Sequence, residues 1–385
     1  MKVALLVDEL PTSSAPKIVG EEAYYLEKLG VKCDVYVLKY KVSEIPPAHA
    51  EYIRLAYVDK DLGFLGKICG WRIPSFSFFS LYHFAYPYLL SRRASKILDQ
   101  YDAIVIHFTS TAIFASKLSL RNAKMVFYYW DPISYIFENV YKESWSRIRQ
   151  KLLSLIASRF DRKLLLRFDA VVLPSKFHLR RIMRLGANKP IKIVYPGAEI
   201  AESIPKERGD YLLAVARWEK GKNPFFFIKV AKELKTNYDA HFEIIMVGPW
   251  DPYTLEEFQR SAIKADVLSA FKIVGPRYGS ELRQLYLKAR CLIHAKTEAF
   301  GFTGLEAVAH GCPIIFPKGS GVTELFIHGK HGYFPDEGAV EEYAEYVTKM
   351  LSDERLAWKM GYEAWNMAKN YTWENHAKEL LKAIS

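Results

Sequence analysis

The sequence predicts an α/β chain of two domains, each a doubly wound parallel sheet. Three observations carry that prediction. Short apolar runs rich in Val and Ile alternate with helices of 3.6-residue periodicity through both halves, as strands covered on both faces by helices require. At 385 residues the chain is too long for one ordinary core. A polar stretch from Pro196 to Gly209, marked by Gly197 and Pro205 and carrying Glu202, Lys206, Glu207 and Arg208, reads as a linker.

In the first half the strands are predicted at Lys2–Val7, Cys33–Leu38, Asp102–Phe108, Lys124–Trp130, Asp169–Pro174 and Ile191–Tyr195. The first of these runs into Asp8 too early for a signal peptide and reads as a buried parallel strand. In the second half they fall at Tyr211–Ala216, Phe242–Val247, Phe271–Val274, Cys291–Ala295 and Pro313–Phe316. Helical periodicity falls at about Glu21–Leu29, Phe225–Leu234, Ser280–Ala289, Gly304–His310, Val340–Leu351 and Asn375–Ile384. There is no internal repeat with a clear period and no low-complexity tract. The predicted domains are residues 1–197 and 198–370, followed by a terminal helix at 371–385.

Composition excludes several classes. Half the residues are hydrophobic and a quarter charged, which is globular and not disordered. Cys33, Cys69, Cys291 and Cys312 lack C-x-x-C spacing, so they read as buried apolar residues in a reducing compartment and not as a disulfide set or zinc site. The net charge of +11 is unevenly placed: residues 1–195 hold 30 Lys and Arg against 17 Asp and Glu, the rest 24 against 26. A basic half beside a neutral half points to a large anionic surface as partner. No RNA-recognition, zinc-finger or helix-turn-helix signature is present, so that surface is not read as nucleic acid.

The chemistry-bearing residues concentrate late in the chain. Thr297-Glu298-Ala299-Phe300-Gly301-Phe302-Thr303-Gly304-Leu305-Glu306 follows a strand and opens a helix. Ligands of open α/β sheets bind at the carboxyl ends of strands, facing helix N-termini, where N–H groups and the helix dipole favour phosphate. Glu298 and Glu306 then sit where they can hold hydroxyls of a sugar or ribose. The plain alternative is a capped, buried helix start, but that would not need two aromatics and two glycines between two acids. Arg217 at the end of one strand and Lys222 in the next loop are fixed cations suited to a diphosphate. No D-x-D metal motif is apparent, so the cations are read as replacing Mg²⁺, with no cofactor.

These residues resemble the E-x7-E signature of retaining glycosyltransferases of the GT-B fold, in particular glycosyltransferase family four. Arg217-Trp218-Glu219-Lys220-Gly221-Lys222 is similar to that family's R-x4-K diphosphate grip. Val274-Gly275-Pro276, Gly319-Ser320-Gly321-Val322-Thr323-Glu324 and Tyr371-Thr372-Trp373-Glu374 resemble further landmarks in the family's order. The resemblance is strong from about Tyr211 to the end and rests, before that, on element order and Tyr195-Pro196-Gly197. It implies two Rossmann-like domains facing a cleft, an N-terminal acceptor domain, a C-terminal donor domain and a last helix that crosses back to the first. It implies metal-independent, retaining transfer of a hexose from a UDP- or GDP-sugar. It places Glu298, Phe300 and Gly301 at the donor sugar, Phe302 and Thr303 with Arg217 and Lys222 at the diphosphate, Glu306 at the ribose, and Gly275, Pro276 and Arg277 at the base.

The first half departs from the family pattern. The loop after the first strand, Pro11 to Gly20, has one glycine where paired glycines are usual. Tyr129-Trp130-Asp131-Pro132 stands where a His-Asp-like step is usual. Asp131 is read as an acceptor-side acid or base, or as a turn residue before proline; His107 is the alternative. The segment Trp145–Phe168 reads as an amphipathic helix with Trp145, Ile148, Leu152, Leu155, Ile156 and Phe160 on a stripe and Arg147, Arg149, Lys151, Arg162 and Lys163 largely away from it. Such a helix lies in an anionic bilayer surface, or packs its stripe on the sheet. Ile73–Ser91, rich in Phe and Tyr, is too short and too broken by Pro74 and Pro87 to span a membrane, and is read as a buried core helix, the alternative being a segment that lines a lipid-acceptor groove or dips into the interface. Together these features predict a cytoplasmic enzyme, peripheral on the inner face of the cell membrane, with a lipid-linked or glycolipid acceptor. The rivals are a soluble transferase acting on a sugar or glucan, and a nucleotide-sugar epimerase or hydrolase.

Overall fold

The structure is a computed structural model and describes residues 1–8, 14–39, 49, 51, 54–58, 72–73, 76–80, 82–139, 147–238 and 242–385. The chain divides into two compact units, Met1–Pro196 with Trp373–Ser385, and Gly197–Thr372.

The first unit holds β1 (Lys2–Val7), β2 (Lys32–Val37), β3 (Arg54–Tyr57), β4 (Arg72–Ile73), β5 (Phe76–Ser80), β6 (Ala103–His107), β7 (Lys124–Tyr128), β8 (Ala170–Leu173) and β9 (Ile191–Ile193). Seven of them form a parallel sheet in the order β3-β2-β1-β6-β7-β8-β9, and β4 and β5 form a separate antiparallel pair. Val3 to Val7 and Ala103 to Ile106 are almost wholly buried, as central strands covered on both faces must be. β3 escapes the sequence reading because it is short and begins with a charged residue. The segment read as one core helix is partly strand: β5 takes Phe76–Ser80, where aromatics suit the extended chain, and a helix follows at Tyr82–Leu89.

The second unit holds β10 (Tyr211–Val215), β11 (Glu243–Val247), β12 (Phe271–Val274), β13 (Cys291–Ile293), β14 (Ile314–Ile315) and β15 (Gly332–Tyr333). They form one parallel sheet in the order β12-β11-β10-β13-β14-β15. Both sheets reverse direction of growth at their middle, between β1 and β6 in the first and between β10 and β13 in the second. At such a switch point the connections leave on opposite faces and open a crevice beyond the strand ends. The topology thus singles out the residues after β1, β6, β10 and β13.

The last helix, Trp373–Ile384, belongs to the first unit. A buried polar cluster anchors it. His376 on that helix faces the Tyr195 carbonyl with Nδ1 at 2.8 Å and Glu22 Oε1 with Nε2 at 2.9 Å. The other oxygen of Glu22 lies 2.8 Å from His107 Nε2. Glu22 and His107 have no exposed surface, and His376 is 3% exposed. Burial pushes the Glu22 carboxyl up, but the two imidazoles outweigh it and bring it down to about 2.

A buried polar cluster that loses one member leaves the others without partners away from water. Glu22→Gln is therefore expected to destabilise the protein at neutral pH by about 3–5 kcal/mol in urea unfolding. Because the folded carboxyl titrates below its ordinary value, its contribution is full above that value of 4.5 and is lost as pH falls toward about 2. The wild-type advantage over Glu22→Gln should close across that window; an advantage independent of pH there would remove the carboxylate from the argument.

Candidate active site

In the second unit the loop after β10 is built on Trp218. Its indole is buried, stacks on Trp250 with centroids 5.4 Å apart, and donates to the Val247 carbonyl at 3.1 Å. With Trp218 pinned inward, Arg217 turns outward beside Glu219, which it meets at 3.1 Å. A short 3-10 turn, Lys220–Lys222, follows and ends at Asn223 in left-handed backbone, after which Pro224 opens the helix Phe225–Asn237. This turn directs Lys222 across the switch point to Glu298, with Nζ 2.7 Å from Oε1.

Glu298 lies in the loop after β13. Its N–H donates to Ser320 Oγ at 3.2 Å, and its carbonyl accepts from Gly321 N–H at 3.1 Å. The Phe300 carbonyl likewise accepts from Val322 N–H. The acidic loop is therefore laid along the Gly319–Val322 loop by backbone bonds, which gives the latter motif a place beside the carboxylate. Burial raises the Glu298 carboxyl, but the Lys222 ammonium and the His294 imidazole, whose Nε2 is 3.2 Å from Oε1, outweigh it and hold it at about 2. The result is a carboxylate and a cation, both partly shielded from water, at the carboxyl edge of the sheet.

The helix after this loop is Phe302–Ala309, two residues earlier than periodicity alone suggests. Phe302 and Thr303 thus occupy its first two positions. Gly301 precedes it at φ +98°, in the left-handed region that favours glycine. A Cβ at Gly301 would also lie 2.8 Å from the Phe316 ring, and one at Gly304 3.0 Å from it. Both glycines admit that ring. Phe300 is buried and meets Phe302 edge-on at 5.3 Å. Glu306, half-buried one turn further, accepts from the Tyr286 hydroxyl at 3.3 Å. Gly275, Pro276 and Arg277 follow β12 and are exposed; Arg277 pairs with Glu281 at 3.4 Å. The structure thus brings Lys222 and Glu298 into contact, joins Arg217 to Glu219, and sets Glu306 against Tyr286.

At the switch point of the first unit, β6 ends in His107, whose imidazole is enclosed in the Glu22 cluster. The next residue, Phe108, has φ +65° and ψ 149°, a backbone conformation that costs a side-chain-bearing residue about 1–3 kcal/mol. Strain of this kind persists where the surroundings fix it. Here Thr109 Oγ1 donates to the Asp131 carbonyl at 2.5 Å, and Ser110 Oγ donates to Asp8 Oδ2 beyond β1. Asp131 is 42% exposed, and its Oδ1 is 2.9 Å from Nε2 of buried His178. Of the two acceptor-side candidates, Asp131 is the one that solvent reaches.

The helix Arg147–Arg167 carries the expected basic residues, but its stripe faces outward. Ile148 is 82% exposed, Leu155 66% and Leu152 58%, with Ile156, Phe160 and Leu166 also exposed. Arg149, Lys151, Arg159, Arg162 and Lys163 are exposed on the same side, and the core takes a second set: Ala157, Leu164, Leu165 and Asp161. Trp145 lies outside the described residues, as does the Arg147 side chain. No helix among the described residues is long and apolar enough to cross a membrane.

Two consecutive α/β units, each built on a parallel sheet with flanking helices, fit the GT-B fold. The structure of the Anabaena protein HepE with UDP and glucose has the same fold (TM-score 0.72, 15% identity, 99% of this chain and 98% of that one), as has the lipopolysaccharide outer core galactosyltransferase WaaB (TM-score 0.69, 14% identity, 100% and 99%). Residues 17–202 match the family model Glycosyltransferase Family 4 and residues 198–367 the model Glycosyl transferases group 1. The chain belongs to this glycosyltransferase family. A D-inositol 3-phosphate glycosyltransferase from Corynebacterium urealyticum is 27% identical over 216 residues, 53% of this chain and 51% of its own. The chain spans about half the length of the curated relatives of this kind that it matches.

Three of the groups that shape these sites, His294, Phe316 and His178, were not singled out by sequence. The available signal for His294 was a polar side chain at the end of an otherwise apolar strand, four residues before Glu298. Lys222 is the leading influence holding Glu298 down, so Lys222→Met is expected to move the Glu298 carboxyl upward from about 2, toward or beyond its ordinary range. Carboxyl-carbon NMR titration of Glu298 in the two proteins measures it; an unmoved titration would deny the pair.

Proposed function

We propose that this glycosyltransferase moves a hexose from a UDP- or GDP-sugar, with retention of anomeric configuration and without a metal ion, to a lipid-linked or glycolipid acceptor at the cytoplasmic face of the cell membrane. The observation that carries the donor side is the Lys222–Glu298 pair at the switch point of the second unit, 2.7 Å apart. Arg217 and Lys222 take the diphosphate, joined by the N–H groups of Phe302 and Thr303. Glu306 takes the ribose hydroxyls, and Gly275, Pro276 and Arg277 line the base. Phe300 and Gly301 shape the loop that presents Glu298 to the sugar. The bond from the anomeric carbon to the diphosphate breaks, positive charge grows on the ring, and Glu298 lies near enough in this scheme to stabilise it. The acceptor oxygen then bonds to that carbon, and Asp131 is the candidate base for its proton. The relative HepE, whose structure holds UDP and glucose, supports a donor of this class.

The acceptor side rests on the exposed face of Arg147–Arg167, where a row of aliphatic side chains is interleaved with cations. An apolar row of that kind gains by entering the headgroup boundary, and the cations gain from anionic lipid. WaaB, a lipopolysaccharide galactosyltransferase of the same fold, supports an acceptor carried on lipid.

Thermal shift against UDP-, GDP- and ADP-sugars tests the donor, since a ligand that binds only the folded state raises apparent stability. Lys222→Ala is expected to weaken nucleoside diphosphate binding by roughly 1.5–3 kcal/mol. Glu298→Gln should lower kcat with little change in KM, because it acts on charge present only as the bond breaks. EDTA should not inhibit, and NMR of the first-formed product should show the donor's configuration; an inverted product would overturn the retaining reading.

The membrane reading makes a separate prediction. The protein should sediment with anionic vesicles and leave them at high salt, where electrostatic reach shortens to about 3 Å at 1 M. Changing Arg149, Lys151 and Lys163 to Gln removes cations worth about 1 kcal/mol each, so vesicle partition should fall roughly 100-fold. The donor-induced thermal shift should stay. Equal sedimentation of wild type and variant would return the acceptor to a soluble sugar.

A further inference from the structure

Glu298 Oε1 accepts from two side chains of different character. Lys222 reaches it at the end of a flexible stem with 29% of its side chain exposed. His294 reaches it from the end of β13 and is fixed on every side. Its N–H donates to the Ile315 carbonyl at 3.0 Å, its carbonyl accepts from the Tyr343 hydroxyl, and its side chain is 7% exposed. The imidazole lies flat on Phe316, with ring centroids 4.3 Å apart and planes 4° apart. That is the ring for which Gly301 and Gly304 make room. The small residues between the two acids thus seat Phe316, Phe316 seats His294, and His294 meets the first acid.

The two partners differ in what they can do when the donor arrives. If Lys222 takes the diphosphate, its bond to Glu298 competes with a doubly charged neighbour. His294 has no such alternative, since leaving Glu298 would mean breaking its stack and moving its strand end. We propose that His294 is a positioning residue for glycosyl transfer: it keeps the Glu298 carboxylate oriented toward the donor sugar while Lys222 turns to the diphosphate. Among the described residues both contacts fall on Oε1. The inference rests on the donor site proposed above.

The test compares two substitutions in the full chain with the donor that the thermal-shift panel identifies. His294→Phe keeps the flat ring against Phe316 and removes the nitrogen; His294→Gln restores an N–H at nearly the same reach. Misplacing a reacting group by about 1 Å can cost about 100-fold, so His294→Phe is expected to lower kcat by about 10- to 100-fold. Donor KM and the Kd of free nucleoside diphosphate should stay within about twofold, the mark of an interaction expressed in the transition state. His294→Gln should recover most of the lost kcat.

Phe316→Leu gives a second route should His294→Phe fold poorly. It loosens the same imidazole and should lower kcat in the same sense, with a double variant no worse than the more damaged single one. Unchanged kcat in a folded His294→Phe, a loss confined to KM, no recovery with Gln, or full additivity with Phe316→Leu would each overturn the positioning role. Wild-type protein that transfers sugar from no donor would instead sink the donor-site reading, and this role with it.

Discussion

A carboxylate withdrawn from water must find its compensation in the protein, and the second unit is arranged around that need at Glu298. Burial alone would push its carboxyl up. Two structural devices prevent this. The buried Trp218 fixes the loop that sends Lys222 across the switch point, and Phe316 fixes the imidazole of His294. Each device reaches far into the sequence, from residue 218 to 316, yet both converge on one oxygen atom. The glycines at 301 and 304 follow from the same need, because a side chain at either would collide with Phe316.

The pairing of a carboxylate with a histidine recurs in the first unit, with different exposure and so a different consequence. Glu22 is sealed between His107 and His376, where it ties the last helix to the first sheet. Asp131 shares only one oxygen with buried His178 and leaves 42% of its side chain open. The first arrangement has no surface left for a substrate and acts on stability. The second has a fixed back and an open front, beside the strained backbone of Phe108. Exposure, more than residue type, separates His107 from Asp131.

Much of this was legible in sequence, for physical reasons that also mark its limits. Parallel strands buried on both faces are continuous apolar runs, so the cores of β1, β6, β10 and β11 stood out. β3 and β15 did not, because a short edge strand has little apolar signal to offer. Glu298, Lys222 and Arg217 were visible as charges at strand ends. Their partners were not, because a stack such as His294 on Phe316 joins residues just past the ends of neighbouring strands, and the register of β13 with β14 brings them together. The helix Arg147–Arg167 shows the converse limit. Periodicity found an apolar stripe but not its direction, since the helix has a second apolar side that the core takes.

That second side changes how the basic half of the chain is to be understood. A helix packed by its stripe would leave only solvated charges outside, and the excess of Lys and Arg before residue 195 would then bear on solubility. With Ile148, Leu152 and Leu155 outside as well, the same charges flank an apolar row that water does not favour. Charge without the row would attract any polyanion, and the row without charge would invite self-association. The combination matches the chemistry of an anionic lipid bilayer, the partner proposed for this face.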